Sequence, residues 1–324
     1  MAHAVKFYET GGPEVLRHEP VDLPAPAAGE VRVRHGAIGL NFIDTYHRSG
    51  LYPVPLPSGI GLEAAGIVEA LGEGVEGLAP GDRVAYGTGP LGACATEANR
   101  PADTLVRVPD GVDDETAAAI MLKGMTAGYL LTMTRPVRAG ETILIHAAAG
   151  GTGLLMVQWA KDLGARVLGV VGSEEKAALA RAHGCDETIL RGSEDLAARV
   201  RELTDGAGVP VVFDSVGRAT FAASLDCLAP RGMLVSFGNA SGPAPAVEPG
   251  TLAAKGSLYL TRPTLVHYTR TRAELETLAN SLRERVAAGV LKVRVEQRFP
   301  LAEIAEAHRA LEAGRTVGAT VLAP

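Results

Sequence analysis

The residues from Ile143 to Leu155 read Ile-Leu-Ile-His-Ala-Ala-Ala-Gly-Gly-Thr-Gly-Leu-Leu, an order suited to holding a diphosphate. Residues 142–147 are apolar and partly β-branched, which fits a buried parallel strand. Gly150, Gly151 and Gly153 follow; at such a point a backbone turns sharply and lets a ligand come close. A helix over 153–163 then aims its unpaired N–H groups and partial positive charge at the turn. The spacing departs from G-x-G-x-x-G, because Ala147 stands where the first glycine would be. A glycine-rich turn that binds nothing would use the same letters, so the reading rests on the strand–turn–helix context.

A second set of residues bears on which dinucleotide such a turn would hold. Folds that select NAD carry an acid at the end of the second strand, about 20 residues past the turn. Here that strand ends at Val171 and is followed by Gly172-Ser173-Glu174-Glu175-Lys176. Gly172 leaves room, Ser173 offers a hydrogen bond and Lys176 a cation one helical turn on, which together suit a 2′-phosphate. Arg191, at the end of the third strand, is a second cation able to reach the same place. Ser173 equally serves as a helix N-cap, with Glu174 and Glu175 favouring the helix dipole and Lys176 a solvated charge. The two roles are compatible, and the charges favour NADPH over NADH.

These residues need a scaffold, and the hydrophobic pattern predicts one. From Glu141 on, strands over 142–147, 166–171, 187–190, 211–214, 233–237 and 258–261 alternate with helices over 153–163, 174–183, 194–203 and 219–228. That βαβα rhythm predicts an α/β fold with a doubly wound parallel sheet and helices on both faces. The first hundred or so residues differ. They are rich in Gly, Pro and short alternating runs, with strands expected over 30–37, 65–71 and 82–86, so a small, mostly β domain is expected there. Asp113 or Asp114 would cap a helix through Ala117, Ala118, Ile120 and Met121, and another helix is expected over 126–133. After Arg262-Pro263 come an amphipathic helix over 273–288, short strands, a helix over 301–312 and a last strand over 320–322. This tail is placed to close back on the N-terminal domain.

Composition narrows the function. With 324 residues, 47% of them hydrophobic, the chain makes one large domain or two ordinary ones. The formal net charge is −6 and no basic cluster is dense enough to track a phosphate backbone, so no nucleic-acid partner is expected. There is no apolar run of about 18 residues and no basic-then-apolar leader; the expectation is no membrane association and a cytoplasmic location. Cys94, Cys185 and Cys227 are far apart and form no C-x-x-C pair, so buried inert thiols are expected rather than a disulfide frame or a zinc site.

The whole chain resembles the zinc-free quinone oxidoreductases of the medium-chain dehydrogenase/reductase superfamily, the zeta-crystallin-like group. The likeness is carried, in order, by Gly11-Gly-Pro-Glu-Val-Leu16, Asn41-Phe-Ile-Asp-Thr-Tyr46, Gly50-Leu-Tyr-Pro53, Gly81-Asp-Arg-Val84, Ala147-Ala-Ala-Gly-Gly-Thr-Gly153, Asp214-Ser-Val-Gly217 and Gly256-Ser-Leu-Tyr-Leu-Thr-Arg-Pro263. It implies a GroES-like β domain and a Rossmann domain inserted into it, divided as 1–123, 124–263 and 264–324. It also implies NADPH between the two domains, a quinone or another conjugated carbonyl as substrate, and a homodimer paired through the strand over 258–261.

Residue by residue, the resemblance places Asn41, Phe42, Asp44 and Thr45 in the loop under the nicotinamide, and Tyr46 and Tyr52 near the quinone. Asn41, Tyr46 and Tyr52 are the candidates for a part in catalysis. Both tyrosines also read as packing residues, and Asp44 as a turn stabiliser. Thr126 and Tyr129 match the helix that touches the cofactor, Gly151 and Thr152 the diphosphate turn, and Gly172, Ser173 and Lys176 the 2′-phosphate pocket. Ser215, Gly238 and Asn239 match loops beyond later strand ends. Arg191 replaces a tyrosine common in the family. The family's late arginine falls at Gly314, one residue before Arg315, which leaves the part played by Arg315 open. Zinc-dependent relatives carry Cys near Asn41 and His-Glu after a glycine; this chain reads Gly61-Leu62-Glu63. His35 and His47 read as ordinary core or surface residues, and three zinc ligands cannot be assembled. Lys123 is either a linker charge or a group facing the cofactor. The other readings of the same scaffold are an alkenal or enone reductase and a non-enzymatic NADPH-binding protein.

Overall fold

The longest strand, Glu30–Leu40, shows how burial follows sequence. Val31, Val33 and His35 are buried while Arg32 and Arg34 are not, and burial then becomes continuous over 37–40. There Ile38, Gly39 and Leu40 pair antiparallel with Leu322, Val321 and Thr320, and the helix that carries Ala118 covers the second face: a Cβ on Gly39 would lie 2.1 Å from Ala118 O. A strand covered on both faces no longer needs polar residues at alternate positions.

The computed structural model describes residues 1–324. They form two compact units, Met1–Met125 with Thr269–Glu284 and Val293–Pro324, and Thr126–Tyr268 with Arg285–Lys292. In chain order the elements up to the first boundary are β1 Ala2–Phe7, β2 Arg17–Val21, β3 Glu30–Leu40, α1 Phe42–Arg48, β4 Ser58–Gly59, β5 Glu63–Leu71, β6 Arg83–Tyr86, β7 Glu97–Pro101, β8 Val106–Arg107 and α2 Asp114–Tyr129. Then come β9 Thr142–His146, α3 Gly151–Asp162, β10 Arg166–Val171, α4 Glu174–Ala182, β11 Glu187–Leu190, α5 Leu196–Leu203, β12 Val209–Asp214, α6 Phe221–Asp226, β13 Leu228–Ser236, α7 Pro249–Ala254 and β14 Tyr259–Thr261. The tail holds α8 Arg272–Ala287, β15 Val295–Pro300, α9 Ile304–Glu312 and β16 Ala319–Ala323.

The first unit has a three-stranded sheet β2-β1-β4 and a seven-stranded sheet β15-β16-β3-β5-β6-β8, with β7 also on β3. Phe7, Val33, Ile38, Ile60, Val84 and Leu322 meet in its core. This is the GroES-like domain. Helix α9 is tied to α1: Arg48, 2% exposed, donates to Glu312 and lies 3.0 Å from His308 Nδ1. The second unit is a Rossmann-type parallel sheet of order β11-β10-β9-β12-β13-β14. Leu168, Leu144, Val212 and Leu234 from successive strands pack with Phe221 and Leu225 of α6. All three cysteines are buried free thiols. No helix is long and apolar enough to cross a membrane.

Two local expectations change. The helices expected around 117–121 and over 126–133 are one helix, α2, continued by a π-helical turn over Leu130–Thr134. Gly124 is no break; a Cβ there would sit 2.6 Å from Leu282 Cδ1, so the residue is small to admit α8. The stretch expected as a loop at Asn41–Thr45 is the N-terminus of α1. Asn41 takes the extended N-cap conformation (φ −130°), and Asp44 at the third helical position accepts the Asn41 N–H at 2.8 Å. This is the carboxylate half of a capping box.

Candidate active site

In the second unit the sequence-predicted residues gather along one edge of the sheet. Gly151 and Thr152 open α3 after β9. Gly172, Ser173 and Lys176 follow β10, Arg191 follows β11, Ser215 follows β12, and Gly238 and Asn239 follow β13. All lie beyond carboxyl ends of parallel strands, where open α/β sheets bind ligands. The loops after β12 and β13 touch: a Cβ on Gly238 would lie 2.3 Å from Ser215 O. Thr126 and Tyr129 are on the last turns of α2, where the Tyr129 ring stacks on Tyr268 at 4.5 Å.

The turn after β9 is built for close approach. Gly150 is the N-cap of α3 and brings no side chain to its first N–H groups, which remain available to an anion. A Cβ on Gly153 would stand 2.1 Å from Ala147 O, so only glycine lets the helix start so near the strand. Ala147 has φ 51°, a left-handed conformation that glycine favours. The alanine thus occupies a glycine-type position in shape as well as in sequence. At the end of β10, a Cβ on Gly172 would meet nothing within 4 Å. Ser173 Oγ accepts the Lys176 backbone N–H at 3.3 Å, so Ser173 is the N-cap of α4 as expected, and the Lys176 side chain is half-buried. An open space, a hydroxyl and an ammonium fit a phosphate, and the uncapped turn fits a diphosphate.

Beneath this edge lies a polar network that the sequence reading missed. Asp214 Oδ1 accepts the Val216 and Gly217 N–H groups at 2.8 and 3.1 Å, and Oδ2 accepts the Thr220 and Ser224 hydroxyls at 2.7 and 2.8 Å. Ser224 Oγ is also 2.9 Å from His146 Nε2. Because the serine proton goes to the carboxylate, the imidazole donates from Nε2. Burial lowers the His146 pKa, which agrees with a neutral ring. The network locks the Ser215–Gly217 turn to the end of β9. The Asp-Ser-Val-Gly string signalled it, because an Asp before a turn commonly caps the following N–H groups.

In the first unit, α1 carries the other candidates. Asn41, Asp44, Thr45 and Tyr46 are buried and Phe42 is half-buried. Thr45 Oγ1 donates to Phe42 O at 2.7 Å. The Tyr46 ring sits edge-on to Tyr52 at 5.2 Å and tilted to Phe42 at 5.8 Å. Asn41 Nδ2 donates to Glu63 Oε2 at 2.8 Å and to Gly39 O at 3.2 Å. Lys123 is neither a linker charge nor a solvated one: it is buried, and its Nζ lies 2.8 Å from Glu63 Oε2. Burial pushes the Asp44 carboxyl up to about 7, opposed by the Asn41 N–H and Lys123 and reinforced by Glu63. His35 belongs to the core, between Ala95 O at 2.7 Å and the Tyr86 hydroxyl at 2.8 Å. Arg315 pairs with Glu306 at the surface.

A catalytic zinc does not fit this corner. Leu62 offers no donor atom, the Asn41 amide donates to Glu63, and an ammonium already satisfies that carboxylate. No three His, Cys, Asp or Glu side chains stand together as a metal would need.

Two family models match the chain: the alcohol dehydrogenase GroES-like domain over residues 27–137 and the zinc-binding dehydrogenase over 151–283. A quinone oxidoreductase of Pseudomonas aeruginosa is 56% identical over 325 residues, covering 100% of both chains. A 2-haloacrylate reductase of a Burkholderia species is 47% identical over 334 residues, covering 100% of this chain and 99% of that one. The crystal structure of Escherichia coli quinone oxidoreductase complexed with NADPH superposes with a TM-score of 0.98 at 48% identity, covering 99% of this chain and 100% of that one. The chain belongs to the quinone oxidoreductase family of the medium-chain dehydrogenase/reductase superfamily.

Proposed function

We propose that this protein is an NADPH-dependent, zinc-independent quinone reductase. The observation that carries the reading is the second unit's strand-end edge. An uncapped helix start pressed against Ala147 by Gly153 lies beside the open Gly172–Ser173–Lys176 corner. Full-length relatives that bear the quinone oxidoreductase name support it, one of them in complex with NADPH.

When bound, NADPH supplies a hydride. The chain's own part is to bind and orient. The N–H groups of Gly151 and Thr152 hold the diphosphate. Ser173, Lys176 and Arg191 hold the 2′-phosphate, whose charge pairs with two cations. Ser215, Gly238 and Asn239 line the later strand ends, and Thr126 and Tyr129 flank the cofactor. By the family resemblance, Asn41, Phe42, Asp44 and Thr45 would hold the nicotinamide, and Tyr46 and Tyr52 would meet the acceptor. The reduced acceptor takes its proton from water or a tyrosine hydroxyl. Proximity and orientation carry most of the rate.

A second reading is favoured by the 2-haloacrylate reductase relative: reduction of an activated alkene on the same scaffold. Steady-state NADPH oxidation with 1,4-benzoquinone and with an alkenal, at equal NADPH, separates the two. Faster turnover of the quinone is expected, faster turnover of the alkenal selects the second reading, and NADPH binding with neither rate refutes both. The edge strand β14, with Tyr259 58% and Leu260 36% exposed, supports assembly as a homodimer through strand pairing; sedimentation at micromolar protein tests it. Three unpaired thiols accord with a reducing, cytoplasmic setting.

A further inference from the structure

The corner where Asn41, Asp44, Glu63 and Lys123 meet holds more charge than the reading above uses. Glu63 is fully buried and Lys123 is 6% exposed. All three donors converge on one carboxylate: Lys123 Nζ and Asn41 Nδ2 on Oε2, each at 2.8 Å, and the Leu122 N–H on Oε1 at 2.7 Å. The backbone is pared to make this possible. A Cβ on Gly39 would lie 2.1 Å from Ala118 O and 2.3 Å from Glu63 Oε2, and one on Gly87 2.6 Å from Leu122 N. Burying an ion pair is poor value for stability, since apolar residues of similar volume do as well or better. A fold that nonetheless brings α2 in over two glycines to close such a pair gains geometry from it. With Nδ2 committed to Glu63 and Gly39, the Asn41 amide has one orientation. Asp44 next to it binds the Asn41 N–H through Oδ2, while its Oδ1 is buried with no hydrogen-bond partner.

We propose that Lys123 and Glu63 are positioning residues, an internal ammonium–carboxylate pair that fixes the Asn41 amide and sets the field at Asp44. The Lys123 ammonium supplies the fixed positive charge of this corner. The charged and titratable groups facing Asp44 are Lys123, Glu63 and the Cys94 thiol, which burial keeps protonated. Lys123 favours the Asp44 carboxylate and Glu63 disfavours it, so removing each has opposite effects.

The proposal rests on the quinone reductase reading, and the experiment separates the two. Wild type, Lys123→Met, Lys123→Arg, Glu63→Gln and the double variant Glu63→Gln/Lys123→Met are compared in three readouts. These are turnover with 1,4-benzoquinone, NADPH affinity by fluorescence, and NMR of the Asp44 carboxyl and the Asn41 side-chain amide across pH. The Asp44 midpoint is expected to rise in Lys123→Met and fall in Glu63→Gln, with the Asn41 amide resonance displaced in both. Turnover is expected to drop tenfold or more while NADPH affinity stays within twofold, and Lys123→Arg is expected to recover part of the turnover. If Lys123→Met fails to fold, the uncharged double variant removes the lone buried carboxylate; folded but slow, it supports positioning, and folded with full turnover, it overturns it. Midpoint shifts of the same sign in the two single variants also overturn it. A wild type that never passes electrons to the quinone refutes the functional reading, while the NMR shifts judge the positioning pair on their own.

Discussion

Lys176→Ala tests the electrostatic step in coenzyme choice, because the backbone part that this residue plays in the fold survives the change. Lys176 contributes to the α4 cap through its backbone N–H on Ser173 Oγ, a bond that alanine keeps. Alanine is also the best helix former, so fold stability should change by no more than about 0.5 kcal/mol. A hydrogen bond to a charged group contributes about 1.5–3 kcal/mol. Lys176 is half-buried and partly screened, which moves the expected loss to about 1–2 kcal/mol. At 1.4 kcal/mol per decade, NADPH affinity should fall about 5- to 30-fold. NADH has no 2′-phosphate and should bind as before. Fluorescence titration of both coenzymes against wild type and variant measures this directly. Equal losses for NADPH and NADH, or no loss for either, would refute the phosphate corner; a matching shift in melting temperature would point to the helix instead.

Other outcomes follow from the same geometry. Ala147→Gly relieves a left-handed alanine (φ 51°) and should stabilise by about 0.5–1 kcal/mol, a rise of about 2 °C in a thermal melt; a fall would contradict the strain. Incubation with EDTA followed by desalting should leave quinone-dependent NADPH oxidation unchanged, and a rate restored by added zinc would overturn the account of Leu62 and Glu63. Acid should destabilise the protein. Burial holds His35 down to about 4, and burial with Arg48 holds His308 down to about 3, so below about pH 6.5 the unfolded chain binds protons that the folded one does not. Each histidine then removes about 1.4 kcal/mol per pH unit. Asp44, raised to about 7, works in the opposite direction over the same range and offsets one of them. Urea unfolding from pH 6 to pH 4 should therefore show a net loss of stability in wild type and a loss steeper by about 1.4 kcal/mol per unit in Asp44→Asn; parallel slopes for the two proteins would refute the assignment.

How far the sequence could be read depended on whether a property is local. The βαβ rhythm after Glu141 is a local pattern, and β10 and β11 fall where it predicts them. The glycine turn and the Ser173 cap were legible for the same reason. That the helices expected around 117–121 and over 126–133 are one was not legible, because Gly124 between them is small on account of Leu282, far along the chain. The Asn41 stretch is a loop only by the family resemblance, which does not carry the backbone-to-carboxylate bond from Asn41 to Asp44 that starts α1. Lys123 and Glu63 were hardest, since their partnership spans a long sequence gap and a lysine among Met, Leu and Gly gives little local sign of burial. The network of Asp214, Ser224 and His146 was half visible: the Asp-Ser-Val-Gly string marks the turn, but nothing near it in sequence names the histidine.

Strand β16 comes almost 280 residues after β3 yet is wedged between β15 and β3. During synthesis, the N-terminal β domain therefore has an open seam until β16 emerges, while the parallel sheet over 142–261 has already emerged. For a time the pairing groups of Ile38–Leu40 face a gap, the kind of exposed edge on which nascent chains misassemble. Deleting residues 319–323 would reopen that seam for good, beside the strand that leads into Asn41, so a lesion in β16 should damage the N-terminal β domain first.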